Sequence, residues 1–232
     1  MLRSAGGSVV GPAHMQSGQP TQDALSLRSW CGGWIAAVAD GLGSKQFSAL
    51  GARWAVQCAH AVLRDETSNQ LTDRDVVTAI YRRWLAGVPN SDPGSCATTL
   101  LVAACTAAGQ VRIFQIGDGI ILARTTQGLR LFTPKKAGFG NQTLALCPNR
   151  SWSAWTTGSI RLNHPRDQVL PMTDGIADDV EAGLLASFAD TIHGQLKVRT
   201  RRAGRVWLNR EMTHWGTPGH SDDKTIAMIF RG

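Results

Sequence analysis

Residues 96–132 read CATTLLVAACTAAGQVRIFQIGDGIILARTTQGLRLF, and this stretch decides what kind of sheet the chain builds. Thr98 to Cys105 is a continuous apolar run, and Gly109-Gln110 marks a hairpin into Val111-Arg112-Ile113-Phe114-Gln115-Ile116. Gly117-Asp118-Gly119 interrupts before Ile120 to Ala123, and Gln127-Gly128 turns the chain into Leu129 to Phe132. Parallel neighbours would need long crossovers between these runs, and there are none. The reading is an antiparallel meander, not a doubly wound parallel sheet.

Working outward, residues 1–20 supply one early strand and a loop. Ala24 to Arg28 alternates apolar and polar, and a turn through Cys31-Gly32-Gly33 joins it to a second strand, Trp34 to Ala39. From Phe47 to Leu63 the spacing becomes helical, with Phe47, Leu50, Trp54, Cys58 and Val62 on one face. A helix capped by Thr72 runs to Ala86 and stops at Gly87. Residues 133–158 are polar and weakly periodic, a long surface excursion. A strand near Val169–Thr173, helices over Asp179–His193 and Leu196–Met212, and a last strand from Thr225 to Phe230 complete the chain. The expectation is one α/β domain over residues 1–232, with antiparallel sheets and two helix pairs.

Composition narrows the function. At 232 residues the chain can bury a substantial core, and no apolar stretch approaches the roughly 18 residues of a membrane span. The opening MLRSAGGSVV lacks the apolar middle of a secretory signal, so a soluble cytoplasmic protein is expected. Five cysteines without a Cys-x-x-Cys pair read as reduced thiols rather than a disulfide or zinc scaffold. Cys58 and Arg64 match the Cys-x5-Arg spacing of thiol phosphatases, but no glycine between them could cradle a phosphate, so Cys58 reads as core. The formal charge is +7, and arginines 199, 201, 202 and 205 cluster between Lys197 and Arg210. They form either a solvated helix face or a docking patch for an acidic or phosphorylated partner. Specific nucleic-acid binding is not expected, because no aromatic side chains interleave with them.

The acidic segments carry the chemistry. Trp34 to Ala39 runs into Asp40-Gly41, Gln168 to Thr173 runs into Asp174-Gly175, and Asp222-Asp223 precedes Thr225 to Phe230. A carboxylate at a buried strand end is costly unless something neutralises it. Several such ends suggest one shared neutraliser, and hard divalent cations bound by oxygen suit it. Taken singly, each segment has a structural alternative: Asp-Gly is a frequent turn dipeptide, Asp178 or Asp179 could cap a helix, and Asp118 could be a hairpin corner.

Taken in order, the set resembles the metal-dependent type 2C (PPM) protein serine/threonine phosphatases. Asp40-Gly41-Leu42-Gly43 is similar to the family's Asp-Gly-x-Gly, and Gly117-Asp118-Gly119 to its Gly-Asp-Ser. Thr173-Asp174-Gly175-Ile176-Ala177-Asp178 is similar to its Ser/Thr-Asp-Gly-x-x-Asp, and Asp222-Asp223-Lys224-Thr225 to its closing Asp-Asn/Asp-x-Ser/Thr. Gln22-Asp23 fits the opening acidic pair. The likeness spans about residues 8–230. It implies a central sandwich of two antiparallel sheets flanked by helix pairs, and two Mn²⁺ or Mg²⁺ ions. Asp40 would bridge both ions, Gly41 would offer its carbonyl, and Asp174 and Asp222 would hold the second. Asp23, with Gln22, would orient metal-bound water, while Asp118 and Asp178 would join Asp174 in a third site. A hydroxide between the metals would then hydrolyse phosphoserine or phosphothreonine.

The chain departs from the pattern in places. No arginine lies between Gly6 and Ala24 to clasp phosphate, which leaves His14 as the cationic candidate there. Gln22 stands where glutamate is common, Leu42 replaces a histidine some relatives use, and Ser44 replaces a glycine. Residues 133–157 correspond to the family's variable flap, with Lys135, Lys136 and Arg150 as substrate contacts and Trp152 and Trp155 as a docking face, or else a flap packed on its own body. The opening segment most resembles a divergent bacterial branch, which makes a cognate protein kinase and a von Willebrand A-type protein conceivable partners beside the phosphoprotein substrate. The alternative is a catalytically weak, phosphatase-like regulatory binding module. A basic nucleic-acid binder explains none of the acidic segments.

Overall fold

In the hairpin Asp23–Trp30 (β2) to Gly33–Asp40 (β3), Trp30 pairs with Gly33, so only Cys31 and Gly32 form the turn. Both take positive φ (44° and 76°), the turn geometry that matches the natural twist of paired strands. This register sets Asp23 opposite Asp40 at the far end of the hairpin. The computed structural model describes residues 1–65, 70–89, 92–133, 144–217 and 219–232.

Two five-stranded antiparallel sheets pack face to face. One has the order β2, β3, Leu100–Cys105 (β4), Gln110–Ile116 (β5), Thr156–Arg161 (β8). The other has the order Leu2–Val9 (β1), Lys224–Arg231 (β10), Gln168–Met172 (β9), Ile120–Thr125 (β6), Gly128–Phe132 (β7). Val38, Leu101, Ile113, Ile121 and Ile229 fill the space between them. Helices Ser48–Leu63 (α2) and Asp73–Gly87 (α3) cover the first sheet over Ala55, Ile80 and Trp84. Asp174–Ala177 (α4), Leu185–Lys197 (α5) and Arg201–His214 (α6) cover the second over Ala189, Leu208 and Met212. A short helix, Pro12–Ser17 (α1), follows β1. The result is helices, sheet, sheet, helices, as expected. Among the described residues no helix is long and apolar enough to cross a membrane.

Four local expectations need correction. The meander does not stay in one sheet: β4 and β5 belong to the first, β6 and β7 to the second, and Gly117-Asp118-Gly119 is the crossing between them. Phe47 and Leu50 do not face inward on α2; they are 43% and 44% exposed. The helix lies so close to its neighbour that a Cβ on Gly51 would stand 1.8 Å from the Cys96 carbonyl oxygen, so the inner face is built from Gly51, Ala52, Ala55, Val56 and Ala59. Residues 144–158 are no surface excursion. Leu146 bridges to Thr98, Leu146 and Trp155 are buried, Arg150 Nε donates to the Ala145 carbonyl (3.0 Å), and β8 forms the edge strand. The helix placed over Leu196–Met212 begins later: Leu196 belongs to the last turn of α5, which ends at Lys197, and Thr200 caps α6 through the Ala203 amide. Lys135 and Lys136 lie outside the described residues. Cys58 is core, its thiol pushed up to about 12 by burial.

Candidate active site

Strand ends from both sheets meet at one edge of the sandwich. Asp40 closes β3, with its amide donating to Thr99 Oγ1 (2.8 Å) and its carbonyl accepting from the Thr99 amide (2.7 Å) and the Thr98 hydroxyl (2.8 Å). These two buried threonines fix the backbone that carries the carboxylate. In the other sheet, Met172 pairs with both Ile226 and Ile120. Thr173 and Asp174 therefore emerge between the approach to β10 and the Gly117–Gly119 crossing. Gln115, fully buried, pins that crossing by donating to the carbonyls of Gly117 (3.3 Å) and Gly119 (3.1 Å).

The aspartates converge. One carboxylate oxygen from each of Asp40, Asp118 and Asp174 lies within 4.8 Å of the other two. Asp222 is exposed beside them, and its charge acts on both Asp40 and Asp174. Asp178 ends α4 at the rim, exposed, where burial first and then Asp118 raise its carboxyl. Neither Asp40-Gly41 nor Asp174-Gly175 is a turn: Gly41 bridges to Thr98, and Gly175 lies within α4. They permit close approach instead. A Cβ on Gly175 would stand 2.0 Å from the Asp223 carbonyl oxygen, and one on Gly41 would stand 2.6 Å from the Ser48 backbone.

Such crowding is electrostatically costly without a cation. Burial and then the charges of Asp23, Asp174 and Asp222 push Asp40 up to about 10. Asp174 is pushed up to about 6 by burial, then by Asp118 and Asp222. Asp23, 5% exposed, rises to about 7 through burial, partly offset by hydrogen bonds; its Oδ2 accepts from Thr173 Oγ1 (3.0 Å). Thr173 also accepts from the Thr225 amide (3.1 Å) within its own sheet, so its bond to Asp23 of β2 ties the two sheets together under the site. Crowded carboxylates with only oxygen to donate fit a hard divalent cation, whose charge would relieve their mutual repulsion.

Asp222 and its neighbour Asp223 do different work. Asp223 is 1% exposed, and its carboxylate accepts from the amides of Gly11 (2.7 Å) and Gln22 (2.7 Å) and the Thr21 hydroxyl (2.9 Å). His14 Nδ1 lies 3.0 Å from it. Burial raises the Asp223 carboxyl, but these partners overcome that and hold it below the usual carboxylate range. The loop around α1 is thus strapped to the start of β10, and Gln22 reaches the site through its backbone, with its carbonyl accepting from Gly41 (3.2 Å). On the other rim, the side chain of Asp179 is fully buried, with Lys224 Nζ 3.5 Å away and His220 in contact. A cavity of about 370 Å³ opens between His14, Asp174, Asp178, His220 and Asp222. Sequence reasoning gave no role to Thr98, Thr99, Gln115, Lys224 or His220. Gln115, Lys224 and His220 stand within three residues of an acidic segment, whereas Thr98 and Thr99 meet Asp40 only because β4 pairs with β3.

A family model described as Protein phosphatase 2C matches residues 10–213. The chain belongs to the protein phosphatase 2C family. Solved structures of this phosphatase 2C fold align over nearly its whole length. The photosystem II phosphatase PBCP is 15% identical, with 100% of this chain and 99% of that one covered and a TM-score of 0.70. The serine/threonine phosphatase PstP/Ppp of Mycobacterium tuberculosis is 18% identical over 99% and 98%, at 0.70. The catalytic domain of serine threonine protein phosphatase PstP in complex with two manganese ions is 19% identical over 99% and 97%, at 0.65. No curated protein sequence matches this phosphatase 2C chain.

Proposed function

We propose that this phosphatase 2C hydrolyses phosphoserine and phosphothreonine in proteins, using two divalent cations, Mn²⁺ or Mg²⁺. The observation that carries the reading is the convergence of Asp40, Asp118 and Asp174 from three separate segments with only oxygen to offer. Asp40, Asp174 and Asp222, with the Gly41 carbonyl, would hold the pair; Asp118 and Asp178 would add a third position. The manganese in the solved PstP complex supports the choice of metal. Such cations supply Lewis acidity to a phosphoryl group and acidify water enough to make it a nucleophile at neutral pH. A purely regulatory binding module has no need of so costly a cluster.

The chain's own groups do the rest. Asp23, fixed by Thr173, orients water beside Asp40. Thr98 and Thr99 hold Asp40 in place, and the Asp223 strap keeps His14 at the rim. His14 and His220 take the place of the absent arginine at the cavity where the substrate phosphate enters. Replacing both with alanine raises KM for a phosphopeptide about tenfold, the worth of one hydrogen bond to a charged group, while kcat changes less. The deciding assay measures phosphate release from phosphoserine and phosphothreonine peptides. Turnover is expected with Mn²⁺ or Mg²⁺ and none in chelator; metal-independent or absent turnover overturns the reading.

Metal-free protein also has a signature in pH. Asp174 and Asp23 carry raised carboxyls, so the folded state binds protons that the unfolded chain has already lost. Stability therefore falls as pH rises from about 4 to about 7, by on the order of several kcal/mol. Melting in chelator across that window shows the fall, and Mn²⁺ or Mg²⁺ removes most of it.

A further inference from the structure

A second cavity, of about 510 Å³, opens between β2, α2 and the later turns of α3. Its lining includes Ser26 and Arg28 from β2, Trp54, His60 and Arg64 from α2, and Arg83 from α3. Ser26 and Arg28 lie three and five residues along β2 from Asp23, so the cavity sits roughly 10–17 Å from the carboxylate cluster. Three guanidinium groups meet there, with Asp65 the one acidic side chain among the described lining residues.

The floor is unusual. His60 is only 5% exposed, and its Nε2 is buried with no hydrogen-bond partner. A buried polar atom left unpaired costs about 1–3 kcal/mol, so an imidazole held this way calls for a missing partner. Burial first, then Arg28 and Arg64, push the ring down to about 4, which leaves it neutral at physiological pH. The indole N–H of Trp54 is also buried without an acceptor. An anion with several acceptor oxygens would answer these features together: guanidinium forks bind phosphate bidentately, and an imidazole N–H can donate to a further oxygen.

The basic lining continues past this cavity. Ser26 and Arg28 also line a neighbouring groove with Arg201, Arg202 and Arg205 of α6. Arg201 is fixed there, donating to the Leu27 carbonyl (2.6 Å) and stacking over Trp34. A phosphoryl group in the cavity would therefore lie beside a strip suited to the rest of an acidic chain.

We propose that the Arg28–His60–Arg64–Arg83 cavity is a second phosphate-binding site, separate from the carboxylate cluster. It takes a phosphoryl group either as free phosphate or on a phosphorylated protein. The proposal rests on the phosphoprotein reading above only for the second of these sources.

The test is an NMR titration of the full chain in chelator, following the imidazole signal of His60. One arm adds inorganic phosphate, a second adds a phosphoserine peptide, and chloride at matched ionic strength is the control. In at least one arm the His60 signal shifts saturably with Kd below about 1 mM, and its titration moves up from about 4 as the arginine charges are neutralised. The tighter arm names the source. Arg28 and Arg64 are exposed, so Arg28→Gln with Arg64→Gln leaves the fold intact and weakens the response at least tenfold, while Asp40→Asn leaves it unchanged. A His60 signal that responds to neither arm, responds equally to chloride, or keeps its response in the double variant overturns the site. Chelator keeps the carboxylate cluster out of the measurement, so a failure of the phosphatase reading would appear separately, as absent metal-dependent turnover beside an intact His60 response.

Discussion

Asp40→Asn abolishes turnover and at the same time raises the melting temperature of the metal-free protein. The loss follows from position: Asp40 is the carboxylate on which Asp23, Asp174 and Asp222 all act. Removing a group that only supports a metal ligand costs about 10–100-fold, so removing Asp40, which on the proposed reading would hold both cations, should exceed that range in kcat/KM. The gain follows from the same crowding. At pH 7 the folded metal-free protein keeps Asp40 protonated, against a carboxyl value of about 10. Holding that proton, which the unfolded chain would release, costs on the order of a few kcal/mol. Asparagine has nearly the same shape and no proton to hold, so the cost disappears. Calorimetry in chelator beside a phosphopeptide assay in Mn²⁺ reads both effects. A variant that retained activity would remove Asp40 from the metal set, and one that lost stability would show the cluster to be a structural network.

Much of this was legible in residues 96–132 and in the acidic segments, and what was not has physical causes. Strand alternation and hairpin turns are local, so β2 through β7 were read near their true places. The sheet to which each strand belongs is a long-range property. Nothing local in Gly117-Asp118-Gly119 tells a crossing between sheets from a hairpin corner, although the crossing is what carries Asp118 into the cluster. The inner face of α2 was misread because large apolar residues dominate a spacing pattern, whereas here the helix packs close on small ones, Gly51, Ala52 and Ala55. β8 escaped notice because Thr156-Thr157-Gly158-Ser159 offers no apolar alternation, and its pairing with β5 supplies the order. For the site, residue types at strand ends were enough to nominate the aspartates. They could not show which of two adjacent aspartates lies exposed beside the cluster and which is buried against the protein.

That last distinction is open to a direct comparison of Asp222 with Asp223. Asp222 is exposed and sits beside the cluster, so Asp222→Asn weakens divalent-metal binding and turnover with little change in folding. Asp223 is buried under three hydrogen bonds with His14 alongside, and Asp223→Ala leaves the Gly11 and Gln22 amides and the Thr21 hydroxyl facing no acceptor. Unpaired buried donors cost about 1–3 kcal/mol each, so a loss of at least about 3 kcal/mol is expected, a fall of roughly 6–12 °C in Tm for a chain of this size. The pH dependence carries the opposite sign from that of the metal cluster. A carboxyl held low in the folded state contributes stability above the unfolded value, near 4, and that contribution is lost as pH falls through the folded value. Wild-type protein should therefore lose stability on its acid limb in a way that Asp223→Ala does not, in chelator and in metal alike. If Asp223→Ala instead melted like wild type and failed only in metal binding, Asp223 rather than Asp222 would be the residue that serves the cations.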